Sequence, residues 1–186
     1  MALTPLQRDI CRRPRDSAFR FFPLVEHPEL GLALHPLDLA TNKVLALAGR
    51  REARDWVDLL QCHEQLQPLG YLVWAACGKD PGFGPPALLG HLRRAGRFSA
   101  EEVEELAFEG PPPDPAALAR AWHAALEEAE ALLEVLPPTA VGTCVLFGES
   151  DLCRLDPRAL RRALADRQVC FRSGSIRGAL PQIRRA

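Results

Sequence analysis

The N-terminal third of the chain contains two short apolar segments with a polar turn between them. Residues 17–25, SAFRFFPLV, and residues 30–36, LGLALHP, are rich in aromatic and aliphatic side chains, and EHPE lies between them. Leu30, Leu32 and Leu34 recur at the two-residue period of a strand with one buried face. The pattern predicts two antiparallel strands, or a strand and an edge strand.

Two amphipathic helices are predicted to follow directly. Asp38 can cap a helix that ends near Ala48, with Gly49 as its stop. The predicted buried stripe of this helix is Ala40, Thr41, Val44, Leu45 and Ala48. A second helix is predicted from about residue 52 to residue 66, since a proline and a glycine follow it. Its predicted buried face is Trp56, Leu59, Leu60 and His63.

The remaining pattern is mainly helical. An apolar segment over residues 69–77 precedes a turn-rich loop, GKDPGFGPP, and a helix over residues 87–94. Ser99 and Glu102 form a capping box for a short acidic helix, and Asp114 with Pro115 begins the longest helix. Residues 140–147 are strand-like or a buried strap, a last helix covers about 156–166, and the basic end from Arg172 is predicted to be loose.

These elements predict a mixed α/β (α+β) protein that is predominantly helical. The strand pair and the helix pair form one unit, residues 1–67, and residues 68–186 form a helical C-terminal domain with a basic tail. A two-stranded sheet is only marginally stable alone. The first unit is therefore expected to be the final part of a larger domain.

Composition is that of a globular protein and excludes several classes. The net charge of −1 excludes a chain that binds nucleic acid through its overall charge. The longest apolar run, YLVWAAC, is much shorter than the ~18 residues of a membrane span. Six cysteines occur without a C-x-x-C pair or zinc-ligand spacing, which favours reduced thiols in a cytoplasmic protein.

The charges are unevenly distributed along the chain. Residues 1–20 have a net charge of +3, residues 101–134 have a net charge of −9, and the tail from Arg172 has four arginines and no acid. The basic ends could hold an RNA backbone or a triphosphate, although solvated helix faces and a loose tail would give the same pattern. Of 23 basic residues only Lys43 and Lys79 are lysine, which suggests a need for a compact ammonium there.

The candidate chemistry lies on the predicted helix pair. One face of the second helix carries Arg51, Asp55, Asp58 and Cys62. In the simplest interpretation these residues form intrahelical ion pairs, Arg51 with Asp55 and Arg54 with Asp58. In the alternative, the short connection packs the helices closely and places the Lys43 nitrogen within about 6 Å of an Asp55 or Asp58 oxygen. The ammonium would then neutralise a triphosphate, and the aspartate would orient it.

The stretch DLATNKVLALAGRREARDWVDLL, residues 38–60, resembles the third conserved motif of the AbiEii/AbiGii-type nucleotidyltransferase toxins. That motif reads D-L-A-x-N-K-x-x-A-L, a glycine or small residue, arginines, and then R-D-x-x-D-L. The matching positions are Asp38-Leu39-Ala40, Asn42-Lys43, Ala46-Leu47, Arg50, Arg54-Asp55 and Asp58-Leu59. The preceding segment resembles the strand pair that leads into the motif, so the similarity covers residues 14–67 and, loosely, the helical remainder.

The resemblance implies a nucleotidyltransferase fold with a helical domain, an NTP donor such as ATP or GTP, Mg²⁺ as the cofactor, and an acceptor such as a tRNA end. It also implies a cognate antitoxin as a possible partner. By carry-over, Lys43 would contact the donor phosphates, Asp55 would be the catalytic acid, and Asp58 would close the motif and support it. The candidates for substrate binding are Arg50, Arg51, Arg54 and Lys79. For Lys79 the alternative is a turn with an exposed Lys–Asp pair.

One part of the family pattern is missing. The first motif, a G-[GS]-[ST] turn followed by a metal-binding D-x-D pair, does not occur in the 186 residues. We therefore expect a chain read from an internal start, a truncated gene, or a partner that supplies the rest. The protein would transfer nucleotides if completed in this way; otherwise it is a catalytically inactive module that binds nucleotide, RNA or antitoxin.

Overall fold

A computed structural model of the chain describes residues 18–28, 31–108 and 112–176. It is a mixed α/β structure, about 54% helical, which confirms the predicted predominantly helical α/β class. The helices of the described ranges are α1 (Pro36–Arg50), α2 (Ala53–Gln65), α3 (Leu69–Ala76), α4 (Pro85–Ala95), α5 (Ala100–Glu104), α6 (Pro115–Leu133) and α7 (Pro157–Ala165). Within these ranges no helix is both long enough and apolar enough to cross a bilayer.

The strands of the described ranges form three small antiparallel sheets. They are β1 (Phe19–Arg20), β2 (Val25–His27), β3 (Gly31–Ala33), β4 (Cys144–Phe147), β5 (Asp151–Leu152), β6 (Val169–Arg172) and β7 (Ser175–Ile176). Strand β1 pairs with β7, β2 pairs with β3, and β4 lies between β5 and β6. The second half of the chain therefore contains a three-stranded sheet: β4 lies in the segment 140–147 that was predicted to be strand-like or a buried strap, whereas β5 and β6 were not predicted.

The predicted strand pair is confirmed only for β2 and β3, where Glu26 lies opposite Leu32. The beginning of the first apolar segment instead pairs with the tail, and Phe19 lies opposite Ile176. The prediction of a loose end from Arg172 is thus wrong for residues 172–176, while residues 177–186 lie outside the described ranges. Arg172 anchors this part because its Nε donates a 3.0 Å hydrogen bond to the Phe21 carbonyl and its guanidinium lies 4.6 Å from the Phe22 ring.

Helix α1 is longer at both ends than predicted. Its N-cap is His35, whose side chain accepts a hydrogen bond from Leu37 N, rather than Asp38. Gly49 does not stop the helix, which ends after Arg50 with Arg51 in the left-handed region at φ 46°. Ala40, Thr41 and Val44 of the predicted stripe are buried, but Leu45 is only partly covered, and Leu37 and Leu47 are fully buried as well.

A single large core joins the two predicted parts of the chain. It includes Phe21, Val44 and Trp56 from the first part and Leu72 and Trp122 from the second. A smaller apolar cluster lies between α3, α6, α7 and β4. The predicted boundary at residues 67 and 68 therefore falls inside a shared hydrophobic core, which holds α1 and α2 rigidly against the following helices.

Candidate functional site

The corner between α1 and α2 brings Lys43 against both aspartates of the second helix. Lys43 Nζ lies 2.8 Å from Asp55 Oδ1 and 2.7 Å from Asp58 Oδ2. The contact to Asp55 is a hydrogen bond, whereas the contact to Asp58 is an ion pair whose angles depart from hydrogen-bond geometry. The predicted approach to within about 6 Å is confirmed, and the Lys43 side chain is only 5% exposed.

Arg50 completes the coordination of Asp55. Its Nε donates to Asp55 Oδ2 at 2.7 Å and its terminal nitrogen donates to Asp55 Oδ1 at 3.0 Å, a bidentate arrangement. The Asp55 carboxylate, with no exposed side-chain surface, thus lies between a lysine and an arginine. Asp55 pairs with these two cations and not with Arg51, so the simple intrahelical pairing predicted for it is wrong. Burial raises the pKa of Asp58, and the charge of the nearby Arg54 opposes this only in part.

Burial and charge together set the ionisation of this cluster. Burial disfavours the charged form of Lys43, but hydrogen bonding to Asp55 and the charge of Asp58 outweigh it, so the pKa of Lys43 is raised. Burial would raise the pKa of Asp55, but Arg50 and Lys43 together lower it below its ordinary value. Asp58 shares the ammonium with Asp55, and burial raises its pKa. At neutral pH the corner therefore holds a charged Lys43 and a charged Asp55.

The thiol of Cys62, on the same face of α2 as Asp55 and Asp58, is not reactive. Cys62, which the sequence placed on the same face, is 4% exposed. Burial and the charge of Asp58 raise the pKa of its thiol to about 12. A neutral, enclosed thiol is a poor nucleophile, so Cys62 packs the core. Among the cysteines of the described ranges only Cys170 is exposed, and all five there are free thiols.

Arg51 links the corner to the segment around α5. Its guanidinium lies 3.3 Å from Glu102 Oε1 and 4.7 Å from the centre of the Phe98 ring, and it also donates a hydrogen bond to the Arg97 carbonyl. The side chain remains 50% exposed. Arg51 therefore faces solvent beside the corner while its backbone forms the turn between the two helices.

Lys79 forms a second buried ion pair, at the beginning of α1. Its Nζ lies 3.1 Å from Asp38 Oδ1 and donates to Asn42 Oδ1 at 2.7 Å. The same Asp38 carboxylate accepts hydrogen bonds from the backbone N–H groups of Phe21, at 3.0 Å, and Phe22, at 3.1 Å. The exposed Lys–Asp pair considered for this turn is wrong, because the Lys79 side chain is only 4% exposed.

Asp38 and Asn42 are site residues whose roles could not be read from the local sequence pattern. Both match motif positions, but the pattern predicted a helix cap for Asp38 and no role for Asn42. The one signal in the sequence was the scarcity of lysine, since both lysines of the chain lie in buried ion pairs with aspartates.

A cleft of about 1180 Å³ lies along the exposed side of α1. Asn42, Lys43 and Arg50 line its α1 side, together with the small and apolar residues between them. Near the beginning of α1 the cleft is bordered by Phe19, Ile176 and Lys79, and near the end of α1 by Arg51, Arg54, Phe98, Glu102 and Glu105. All four predicted substrate-binding residues and Lys43 thus line one cleft, whereas Asp55 and Asp58 support it from behind.

The carboxylates of this site do not fit a resident Mg²⁺. Magnesium in such sites is held by one or two carboxylates together with substrate phosphates. Asp55 is already occupied by two cations, and Asp58 lies against the Lys43 ammonium. Residues 18–28, 31–108 and 112–176 contain no group of three or more acidic, histidine or cysteine side chains arranged to hold a metal ion.

Comparisons of the chain with protein-family models, with curated proteins and with solved structures found no match in any of the three.

Proposed function

We propose that this chain is the nucleotide-binding part of a nucleotidyltransferase-like protein and that it binds the phosphates of an NTP in the cleft along α1. The observation that carries the proposal is the buried Lys43–Asp55–Arg50 network directly beneath that cleft. A network of this kind fixes cationic side chains before a ligand arrives, which reduces the cost of ordering them on binding.

The charge of the cleft suits a polyphosphate. Five basic side chains line it against three glutamates: Lys43, Arg50, Arg51, Arg54 and Lys79 against Glu52, Glu102 and Glu105. Lys43 and Lys79 are neutralised by buried aspartates, whereas Arg50 and Arg51 keep a third to a half of their side-chain surface exposed. A guanidinium offers a planar fork of donors that matches phosphate oxygens. The arginines are therefore the proposed phosphate ligands, and Lys43 positions Arg50 through their shared partner Asp55.

Size and sequence motif support the same proposal. The cleft is slightly larger than the roughly 300–1,000 Å³ that ligand pockets usually occupy. It therefore has room for a nucleotide and for the end of an acceptor, such as a tRNA. The motif resemblance over residues 38–60 suggests the donor class, and its matching lysine, arginine and aspartate are the residues that meet at the corner.

Nucleotide transfer would need further carboxylates. The implied Mg²⁺ would have to be held mainly by residues outside the described ranges or by a partner, and the sequence has no D-x-D pair to supply them. The second candidate function is a catalytically inactive module that binds nucleotide, RNA or antitoxin. Engagement of both corner aspartates by Lys43 favours that candidate for the isolated chain.

The binding proposal is tested by removing two arginines of the cleft. The double variant Arg51→Gln/Arg54→Gln is expected to weaken ATP or GTP binding by about tenfold for each guanidinium that no longer binds a phosphate. Isothermal titration calorimetry would measure it, with the unphosphorylated nucleoside as the ligand control. The matched variant Arg93→Gln/Arg94→Gln, on exposed α4 positions outside the cleft lining, should bind like the wild type. Equal NTP affinity of both double variants would refute the proposal.

Transfer by the isolated chain is expected to be absent. Purified protein incubated with each labelled NTP, magnesium and total tRNA should incorporate no label, because the described residues lack an acidic metal-binding group. Gel analysis of the RNA measures incorporation. The opposite result would be labelled RNA with the wild-type chain and unlabelled RNA with Arg51→Gln/Arg54→Gln. It would show that other carboxylates complete the site.

A further inference from the structure

The exposed side of α7 carries a row of arginines. Arg158, Arg161 and Arg162 are exposed and are spaced so that they share one face of the helix. In the described part of the chain their guanidinium groups make no ion pair or hydrogen bond. Two exposed arginines elsewhere are engaged by carboxylates, Arg93 by Glu130 and Arg120 by Asp114. The α7 face is thus available to an external anion.

Two further exposed arginines flank α7 in the chain. Before α7, Arg154 is exposed and donates to the Glu64 carbonyl. After α7, Arg167 is exposed and has φ 56°, a left-handed conformation in which glycine is far less strained. The nearest acid at the start of the helix, Asp156, accepts hydrogen bonds from the backbone N–H groups of Arg158 and Ala159. Its carboxylate caps the helix, and these backbone hydrogen bonds together with the charges of Arg162 and Arg158 lower its pKa.

An exposed aromatic residue lies near the C-terminal end of α7. Phe147, 39% exposed, is the only phenylalanine, tyrosine or tryptophan on the open surface of the described ranges. It pairs with Val169 across β4 and β6, and the next residue, Gly148, donates a 2.8 Å hydrogen bond to the Gln168 carbonyl. Gln168 directly follows Arg167, so Phe147 is at the end of α7 where the arginine series finishes.

We propose that the α7 face (Arg154, Arg158, Arg161, Arg162, Arg167 and Phe147) binds single-stranded nucleic acid, with the arginines on consecutive phosphates and Phe147 stacked on a base. Exposed arginines beside an open aromatic ring are the combination that holds single strands without sequence preference. A bilayer is a poorer partner, because α7 itself exposes arginine and alanine, and Phe147 is the only large exposed apolar side chain of the face. The residues of this face do not line the cleft, so the inference stands without the proposed function.

The test measures binding of the full chain to fluorescent single-stranded RNA and DNA of about 20 nucleotides, longer than the roughly 4–16 that one small site covers. The triple variant Arg158→Gln/Arg161→Gln/Arg162→Gln should weaken binding by at least about tenfold. Its slope of log K against log salt should fall by about 0.7 for each phosphate that the arginines no longer neutralise. Phe147→Ala should weaken binding about fivefold or more with an unchanged salt slope.

Two comparison variants make the result decisive. Arg93→Gln/Arg94→Gln/Arg97→Gln removes the same charge from α4 and the loop after it and should bind within about twofold of wild type. Arg167→Gly removes one guanidinium where glycine is unstrained, so its weaker binding would not reflect unfolding. The proposal is overturned if the wild type does not bind single strands, if the α7 triple variant binds as well as the α4 triple variant, or if duplex nucleic acid, phosphatidylserine vesicles or polyglutamate binds as tightly as the single strand.

Discussion

Replacement of Lys43 by methionine is expected to lower the free energy of unfolding by about 3–5 kcal/mol, the usual cost of leaving buried charge unpaired. Methionine fills the space of the lysine stem but removes the ammonium from Asp55 and Asp58, whose side chains are 0% and 12% exposed. Asp55 retains Arg50, whereas Asp58 loses the cation that offsets its burial. Urea denaturation followed by circular dichroism measures the change.

The pH dependence of this destabilisation identifies its cause. The pKa of Asp58 is already raised by burial, and removal of the ammonium raises it further. Above the pKa of Asp58 in the folded variant, the ionised and unpaired carboxylate destabilises the folded state. The loss of unfolding free energy caused by Lys43→Met should therefore become smaller as the pH falls below that pKa. The double variant Lys43→Met/Asp58→Asn should regain part of the lost unfolding free energy at neutral pH.

A control at an exposed position separates the ion pairs from a general effect of the substitution. Arg94→Met on the exposed side of α4 should change stability by no more than about 0.5 kcal/mol. A decrease below about 1 kcal/mol for Lys43→Met would mean that the corner does not depend on its ion pairs. The proposed phosphate site would then lack the rigid support on which it rests.

Replacement of Asp38 by alanine is expected to lower the free energy of unfolding by a similar amount, about 3–5 kcal/mol. The change leaves the Lys79 ammonium, 4% exposed, without its carboxylate. It also removes the acceptor for the backbone N–H groups of Phe21 and Phe22. Hydrogen exchange of these two amides should accelerate in the variant beyond the global decrease in stability.

The size of this effect distinguishes a buried ion pair from a helix cap. A capping aspartate would cost only about 1 kcal/mol when replaced by alanine. Asp114 offers that comparison, because its carboxylate accepts hydrogen bonds from Ala116 N and Ala117 N at the start of α6. Equal destabilisation by Asp38→Ala and Asp114→Ala would contradict the role assigned to Asp38. Asp38→Asn, which keeps an oxygen acceptor but no charge, should fall between the two.

The helix pair and its central contact were predictable because they are local. Only 12 residues separate Lys43 from Asp55 in the chain, and a short connection between two amphipathic helices leaves few ways to pack them. The predicted capping box at Ser99 is confirmed for the same reason, since Ser99 and Glu102 bond each other's backbone within one turn. Hydrophobic period and capping residues therefore located α1, α2, α5 and α6 to within a few residues.

Contacts between distant parts of the chain were not predictable in this way. Lys79 reaches Asp38 across 41 residues, and Arg172 reaches Phe21 across 151 residues. Nothing in the local pattern of either segment selects the other, because such pairings depend on how the whole core closes. For that reason the local pattern leaves Lys79 open between substrate binding and an exposed turn, and it predicts a loose tail.

The sequence by itself determined the helical class, the α1–α2 corner and the approach of Lys43 to an aspartate of α2, since each depends on spacing within a few turns of helix. Only the tertiary structure decided that Arg50, rather than Arg51, donates hydrogen bonds to Asp55. It also decided that five basic residues line one cleft and that the arginines of α7 form an exposed row with Phe147 near its end. The physical reason is that a charge acts through its neighbours in space and its burial, and both are set by packing between elements that lie far apart in the chain.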